Sequence, residues 1–199
     1  MSSVKPASPG VPGASALPKG LNIALVGLMG VGKTTVGRRL AARLGLTFVD
    51  ADDEIEKAAA CPISEIFERF GEAGFRDGER RVIRRILEQG GQVLATGGGA
   101  FVDEQTRAVI QNQAVSIWLT ANLDTLVSRT ARSNHRPLLA KSPDRRATLA
   151  ELLEARSPAY AQADLTVESA PGPAERTVDR VVAALETYFL DHERVEIGE

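Results

Sequence analysis

The sequence lacks the residues that several classes of protein require. It holds a single cysteine, Cys61, in 199 residues, so it has no internal disulfide and no thiolate cluster for a structural zinc ion. Its net charge is -2, so it lacks the excess of basic residues by which nucleic-acid-binding proteins replace phosphate counterions. No apolar run approaches the length of a membrane span, and the N-terminus lacks the hydrophobic region of a signal peptide. We therefore expect a soluble, cytoplasmic protein that binds neither nucleic acid nor membrane.

The sequence does contain enough apolar residues for one folded domain. Hydrophobic residues make up 43% of the chain, which at this length is enough to bury a core in a single domain. Residues 1–20 are rich in Pro, Gly, Ser and Ala and have almost nothing to bury, so we expect a disordered tail there. The folded domain is therefore expected at residues 21–190, with a C-terminal tail at residues 191–199.

The most informative stretch is a glycine-rich loop at residues 27–34. Its sequence, GLMGVGKT, fits the pattern G-x-x-x-x-G-K-[ST]. It lies between the apolar run 21–26, typical of a buried parallel strand, and a helical pattern. Glycines in such a loop let successive backbone N–H groups surround a phosphate, while Lys33 supplies a charge for the β- and γ-phosphates and Thr34 an oxygen for Mg²⁺. The sequence therefore predicts a nucleoside triphosphate site; the alternative is a glycine-rich turn with a solvated lysine.

Two carboxylates follow the second predicted strand, residues 46–49. Asp50 and Asp52 are spaced so that both can face one cleft, at the end of a parallel strand where open α/β sheets bind their ligands. A phosphate-loop protein needs a carboxylate for magnesium, and no later apolar run ends in an equivalent Asp. We therefore favour function for this pair over helix capping, whereas for Asp53 and Glu54 we prefer capping.

A long helical pattern from residue 54 to residue 89 exceeds what a connection between two parallel strands requires. It is broken at a Cys-Pro pair and at residues 71–78, so it favours an inserted helical lobe. Arg76 lies near the bend of this lobe, and its spacing alone leaves a functional role and a solvated charge equally open. Phe67 and Phe75 would by default belong to the core.

Glycines and basic residues mark the later part of the chain. Glycines at 97–99 directly follow the apolar run 92–96, which favours close approach by a ligand or another segment over a floppy turn. Residues 131–146 are basic and irregular, which suits a lid over nucleotide phosphates, although a solvated surface loop is the competing interpretation. Arg156 ends a helix expected over residues 149–156, so it could point towards the cleft or simply favour the helix dipole.

Together these residues resemble the motifs of bacterial shikimate kinases. Over residues 21–190 the resemblance implies a three-layer αβα fold of the phosphate-loop kinase class, with a five-stranded parallel sheet of order 2-3-1-4-5. It also implies a helical substrate-binding lobe at about residues 52–90 and a lid at about residues 131–147. The matching motifs, in chain order, are the phosphate loop 27–34, Asp50-Ala51-Asp52, Phe75-Arg76 with Glu79, glycines 97–99, Arg136-Pro137-Leu138-Leu139, and Arg156 before Pro158-Ala159-Tyr160.

The activity implied by the resemblance is ATP-dependent phosphorylation of the 3-hydroxyl of shikimate, on the route to chorismate and the aromatic amino acids. Lys33, Asp52 and Arg136 would be the catalytic residues, with Asp52 as the candidate base. Mg²⁺ would be the cofactor, bound directly by Thr34 and through water by Asp50. The partners would be shikimate and ATP, and we expect a monomer.

The resemblance implies two sets of binding residues. A planar guanidinium binds a carboxylate through two charge-assisted hydrogen bonds, so the two arginines of the shikimate set suit its carboxylate. The ATP set would be Gly30, Val31, Gly32, Lys33, Thr34, Thr35, Arg129 and Arg136. The shikimate set would be Asp52, Phe67, Phe75, Arg76, Gly97, Gly98, Gly99 and Arg156.

One stretch departs from the family pattern. Family members often carry an arginine near the adenine in the loop after the last strand, whereas residues 169–173 read SAPGP here, so the adenine contacts stay open. Two other functions also stay open. One is a phosphate-loop kinase acting on another polyol such as gluconate; the other is a nucleotide switch or an inactive binding protein, although the sequence has no Asn-Lys-x-Asp guanine signature.

Overall fold

Five short strands form one parallel sheet at the centre of the structure. The computed structural model of the chain describes residues 17–131, 144–169 and 172–196. The strands lie in the order β2-β3-β1-β4-β5, which confirms the expected order. They are β1 (Ile23–Val26), β2 (Thr47–Asp50), β3 (Gln92–Ala95), β4 (Val115–Thr120) and β5 (Leu165–Glu168).

Seven helices accompany the strands in the described part of the chain. They alternate with the strands and give the expected α/β architecture. Helix α1 packs against α7, β2 and β3, while α3 packs against both α2 and α4. The helices are α1 (Lys33–Leu44), α2 (Ala51–Ala59), α3 (Ile63–Leu87), α4 (Glu104–Gln113), α5 (Leu123–Thr130), α6 (Arg145–Tyr160) and α7 (Ala174–Glu196).

The central strands are apolar because helices cover both faces of the sheet. All four residues of β1 and all four of β3 are buried, as is typical of strands inside a parallel sheet. Helix α1 adds Val36 and Leu40 to the same core from one of its faces. Truncating a core side chain such as Leu25, which is fully buried, would cost about 2–5 kcal/mol of unfolding free energy.

The carboxyl ends of β2, β3 and β1 lie side by side. Asp50 pairs in register with Ala95, and Leu25 on the other side of β3 pairs with the same residue. The segments after these strands therefore emerge at one edge of the sheet: the phosphate loop after β1, Asp52 after β2, and the triple glycine after β3. Open parallel sheets bind their ligands at this edge.

The helical lobe is less interrupted than the sequence predicted. The expected break over residues 71–78 is confined to Gly71, whose φ of 67° and ψ of -176° form a conformation essentially restricted to glycine. Residues 72–87 continue as a helix despite two further glycines. The packing of α3 against α2 and α4 outweighs the low helix propensity of those glycines.

Helix α6 is also longer than expected. The sequence predicted an end near residues 157–158, whereas the helix continues through Pro158 to Tyr160. Proline removes one backbone donor from the helix, but Tyr160 is fully buried, and this packing holds the last turn in place. The extra turn brings Tyr160 to the carboxyl edge of the sheet.

The folded domain extends slightly beyond the boundaries expected from the sequence. Gly91 donates its N–H to the carbonyl of Gly20 at 3.0 Å, and Leu17 packs against the core. Helix α7 continues to Glu196, where the sequence predicted a tail. The rest of the two expected tails, residues 1–16 and 197–199, lies outside the described residues. Among the described residues, no helix is both long and apolar enough to cross a membrane.

Candidate active site

The phosphate loop joins β1 to α1 through three glycines with positive φ. Gly27, Gly30 and Gly32 have φ values of 129°, 86° and 101°, a region that other residues rarely adopt. Lys33 bends back across the loop and donates to the carbonyls of Gly27 at 2.7 Å and Leu28 at 3.2 Å. Because α1 begins at Lys33, the N-terminus of this helix also lies at the loop, as in anion sites at helix N-termini.

A hydroxyl and a carboxylate meet beside this loop. Thr34 donates its hydroxyl to Asp50 Oδ2 at 2.9 Å. Asp50 Oδ1 accepts the N–H of Asp52 at 3.2 Å and so caps α2 at the same time. Both side chains are oxygen donors, which suits Mg²⁺, a cation that is usually held by one or two protein ligands together with substrate phosphates. The donor set at Thr34 and Asp50 therefore fits magnesium.

Asp52 lies behind this pair, in the first turn of α2. Asp52 is exposed to the cleft, but desolvation of its carboxyl by the surrounding protein raises its pKa above the usual value. The nearby Asp50 charge adds to the rise, and Lys33 opposes it. The carboxylate is packed against the triple glycine: a Cβ built on Gly97 would lie 2.9 Å from Asp52 Oδ1. The absence of a side chain at position 97 therefore lets Asp52 approach the turn.

Arg76 and Glu79 form an ion pair one turn apart on α3. Arg76 Nη1 donates to Glu79 Oε2 at 2.5 Å, and Glu79 is fully buried. Burial raises the pKa of Glu79, while the Arg76 charge opposes the rise. The guanidinium also packs against Gly99, where any Cβ would collide with it. Arg76 is therefore held between α3 and the triple glycine.

A second arginine reaches the same turn from α6. Arg156 Nη1 donates to the carbonyl of Gly98 at 3.0 Å, and the hydroxyl of Tyr160 donates to the same carbonyl. Arg76 lies against Gly99, the next residue of the turn. The structure thus brings two guanidinium groups, from helices far apart in the sequence, to neighbouring residues of one turn.

Phe67 and Phe75 stack on each other on α3, with ring centroids 4.4 Å apart. Phe75 is buried and its ring also lies against Arg76, 5.1 Å from Cζ to the ring centroid, a geometry that permits a cation–π interaction. Phe67 is 38% exposed. The two rings therefore support the Arg76 segment of the lobe.

Arg129, at the end of α5, contacts the phosphate loop. Its Nη1 donates to the carbonyl of Val31 at 3.0 Å and to Ser169 Oγ at 2.9 Å. The Val31 side chain itself is buried, so this residue can offer a ligand only its backbone. Gly30, Thr35 and Arg129 all line the cavity described next.

A cavity of about 380 Å³ lies at the carboxyl edge of the sheet, within the size range of small-ligand sites. Residues from all three strand ends contribute to its lining: Lys33 and Thr34 from the phosphate loop, Asp50 and Asp52 after β2, and Gly97 and Gly98 after β3. A smaller cavity of about 240 Å³ adjoins it behind Gly32 and Arg129. Of the residues predicted to bind shikimate, Asp52, Gly97 and Gly98 line this cavity. The other predicted shikimate residues lie outside its lining: Phe67, Phe75, Arg76, Gly99 and Arg156.

Glu79 and Tyr160 belong to the matching motifs, but no role was predicted for either. In the structure Glu79 contacts Arg76, and Tyr160 contacts the glycine turn. Glu79 lies three residues after Arg76, and Tyr160 four residues after Arg156. Side chains at these helical spacings lie on one face, so the spacing could have associated both residues with the site. Arg136, predicted as a catalytic lid residue, and most of the predicted lid lie outside the described residues.

The comparisons with known proteins agree with one another. A family model described as shikimate kinase matches residues 29–186. The chain is 55% identical to a shikimate kinase of Rhodopseudomonas palustris, over 84% of this chain and 82% of that protein. It is 56% identical to a shikimate kinase of Paramagnetospirillum magneticum, over 88% of this chain and 89% of the relative.

A similar solved structure is a shikimate kinase from Acinetobacter baumannii in complex with shikimate. It superposes on this chain with a TM-score of 0.79 at 38% sequence identity, covering 84% of this chain and 93% of the other. The similarity therefore extends over most of both chains.

Proposed function

The chain belongs to the shikimate kinase family, and we propose that its site transfers the γ-phosphoryl group of ATP to the 3-hydroxyl of shikimate, with Mg²⁺ as the cofactor. The product, shikimate 3-phosphate, leads to chorismate and the aromatic amino acids. The observation that carries the proposal is the convergence of a phosphate loop, a carboxylate pair and a glycine turn on one cavity.

The donor side is built from the phosphate loop. Its backbone N–H groups and the N-terminus of α1 bind the phosphates of ATP, and Lys33 places its charge beside the β- and γ-phosphates. Thr34 and Asp50, whose side chains are 2.9 Å apart, would hold the magnesium ion, which would supply positive charge beside the phosphate oxygens. Arg129 contributes a second cation near the loop.

The acceptor side is built around the triple glycine. Arg76 and Arg156 lie against neighbouring residues of this turn, and together they bind the shikimate carboxylate by charge-assisted hydrogen bonds. Holding the acceptor at one end orients its hydroxyl groups relative to the γ-phosphate, and such positioning supplies most of the catalysis in phosphoryl transfer. Phe67 and Phe75, which stack on each other beside Arg76, would support this arginine from the side of the lobe.

Asp52 is the group that meets the reacting hydroxyl. It lines the same cavity as Lys33 and Thr34, so it lies between the acceptor and donor sides. Its carboxylate orients the 3-hydroxyl and accepts the proton late in the transfer, when the oxygen has begun to bond to phosphorus.

Three further parts of the proposal rest on the family and on composition. Arg136, outside the described residues, would bring a lid cation to the transferring phosphoryl group. We place the enzyme in the cytoplasm because its lone cysteine is typical of a reducing compartment. We expect a monomer, since one chain supplies both the donor and the acceptor residues; sedimentation of the purified enzyme tests that expectation.

Initial rates of ADP release test the proposed acceptor. Shikimate should stimulate ADP release strongly, whereas gluconate and a shikimate analogue without the carboxylate should stimulate it weakly or not at all. Gluconate supporting the higher value of kcat/KM would replace this proposal with a polyol kinase. Tight ATP binding without turnover on any of these acceptors would instead identify a binding protein.

A further inference from the structure

Ser169 is a buried hydroxyl residue that follows β5 directly. Only 4% of its surface is exposed, and its N–H donates to the carbonyl of Thr120 at 2.7 Å. Because Thr120 pairs in register with Glu168, this hydrogen bond extends the ladder between β4 and β5 by one residue. The backbone of Ser169 is therefore fixed by the sheet, and its hydroxyl occupies a fixed position at the carboxyl edge.

The Ser169 hydroxyl accepts a hydrogen bond from Arg129. The distance from Arg129 Nη1 to Ser169 Oγ is 2.9 Å, and the same nitrogen donates to the carbonyl of Val31 at 3.0 Å. A Cβ built on Gly32 would lie 3.7 Å from Arg129 Nη1 and 3.9 Å from Ser169 Oγ. One guanidinium nitrogen is thus anchored both to the phosphate loop and to the end of β5.

This anchor lies where the two cavities meet. Arg129 lines the 380 Å³ cavity together with Lys33 and Thr34, and it lines the adjoining 240 Å³ cavity together with Ser169. An arginine side chain has many rotamers, and a guanidinium that is already fixed loses less conformational freedom when a ligand binds. A hydrogen bond that fixes Arg129 therefore favours binding of whatever anion occupies the loop.

We infer that Ser169 is a positioning residue for the nucleoside triphosphate, which acts by holding the Arg129 guanidinium against the phosphate loop. This inference rests on the proposed function, because it takes the occupant of the loop to be ATP. It differs from the roles assigned above in that Ser169 does not contact the reacting atoms. The competing explanation is that the hydroxyl only satisfies buried polar groups and stabilises the fold.

Replacing Ser169 with Ala tests the inference. Loss of a hydrogen bond to a charged group typically weakens an interaction by about tenfold or more. Because Ser169 acts on the nucleotide only through Arg129, we expect part of this loss, a rise of about three- to thirtyfold in the KM for ATP and the dissociation constant for ADP. The KM for shikimate and kcat at saturating ATP should stay within about twofold of the wild type, since neither depends on Arg129 being fixed beforehand. Ser169→Thr keeps the hydroxyl and should restore ATP binding.

Ser116 offers a matched control. It is fully buried on β4, and its hydroxyl bonds to Asp164 at 2.5 Å, at the edge of the sheet away from the cavity. Ser116→Ala also removes a buried hydroxyl, so it should lower the melting temperature and leave the KM for ATP unchanged. If Ser169→Ala behaved in the same way, with unchanged nucleotide binding, the structural explanation would be correct and the inference wrong.

A double-mutant cycle separates action through Arg129 from an independent effect. On an Arg129→Ala background, Ser169→Ala should add no further loss of ADP affinity, because the group it positions is gone. A full additional loss on that background would overturn the inference. Calorimetric titration with ADP reads this outcome without any acceptor, so it distinguishes failure of the inference from failure of shikimate to act as the substrate.

Discussion

The fully buried carboxylate of Glu79 accepts a hydrogen bond from Arg76, with 2.5 Å between Glu79 Oε2 and Arg76 Nη1. In the described part of the chain the other oxygen, Oε1, is buried and has no hydrogen-bond partner. A buried carboxylate with an unpaired oxygen costs folding free energy. Its position behind a proposed substrate arginine supplies a reason for that cost, because it restricts the guanidinium to one orientation.

Glu79→Ala should therefore impair recognition of the acceptor. Without its anchor, Arg76 would bind the shikimate carboxylate from several rotamers, and we expect the KM for shikimate to rise by about tenfold, the loss typical of a charged hydrogen bond. Glu79→Gln keeps one hydrogen bond and should fall between the wild type and Ala. Steady-state kinetics with each substrate varied in turn would show the effect, and an unchanged KM for shikimate in Glu79→Ala would contradict it.

Removing either of the two proposed substrate arginines should weaken the binding of shikimate more than the binding of ATP. For Arg76→Ala and Arg156→Ala we expect the KM for shikimate to rise by about 10- to 100-fold, as for loss of charge-assisted hydrogen bonds, with ATP binding little changed. Lysine at either position should not restore binding, because an ammonium group lacks the planar fork of a guanidinium. The assignment of these arginines is wrong if their removal weakens ATP binding and leaves the KM for shikimate unchanged.

Asp50→Asn should change the magnesium requirement. The substitution keeps the size of the side chain but removes the charge that faces Thr34, so we expect about ten- to a hundredfold more Mg²⁺ to be needed for half-maximal rate. A magnesium titration at saturating ATP and shikimate measures this. Asp53→Asn, one helical position beyond Asp52, is a suitable control because Asp53 is exposed and does not line the cavity. Equal magnesium curves for Asp50→Asn and the wild type would exclude Asp50 from the metal site.

Gly97→Ala should damage the site through sterics alone. The added Cβ would lie 2.9 Å from Asp52 Oδ1 and 3.1 Å from Glu79 Oε1, so both carboxylates would have to move. Relieving these contacts takes a shift of a few tenths of an ångström. Because a displacement of about 1 Å costs on the order of a hundredfold in rate, we expect kcat/KM for shikimate to fall by about three- to tenfold.

Gly78→Ala is the matched control for this glycine. Gly78 lies inside α3 with no atom within 4 Å of a built Cβ. The substitution should leave activity intact and raise the free energy of unfolding by about 0.5–1 kcal/mol. Chemical denaturation and kinetics on both variants would check the pair. Equal activity of Gly97→Ala and Gly78→Ala would show that the turn tolerates a side chain.

Sequence patterns with local physical causes predicted the fold well. The phosphate loop was recognisable because a tight turn around a phosphate requires glycines at fixed spacing, and the apolar runs of β1 and β3 were recognisable because parallel strands are buried on both faces. The number and order of the strands came from the family resemblance, since apolar runs alone do not specify which strands lie side by side. The predicted end of helix α6 was wrong, because the packing of Tyr160 in the core continues the helix through Pro158.

Contacts between distant segments could not be predicted in the same way. Arg129 and Ser169 are separated by 40 positions, and only the folded sheet brings α5 and the end of β5 together. For Arg76, the sequence did not distinguish a functional role from a solvated surface charge. In the structure it packs against Gly99 and Glu79. Such positions follow from the arrangement of strand ends, which local residue patterns do not encode.

Identification of the phosphorylated product tests the central proposal most directly. The wild-type enzyme, incubated with ATP, Mg²⁺ and shikimate, should release one ADP for each shikimate 3-phosphate formed, as measured by mass spectrometry and phosphorus NMR. Lys33→Ala should slow this reaction by an amount on the order of 2 to 5 kcal/mol in the barrier, as for loss of a preorganised phosphate contact. Absence of phosphorylated shikimate, a phosphate on another hydroxyl, or a Lys33→Ala rate equal to that of the wild type would contradict the proposal.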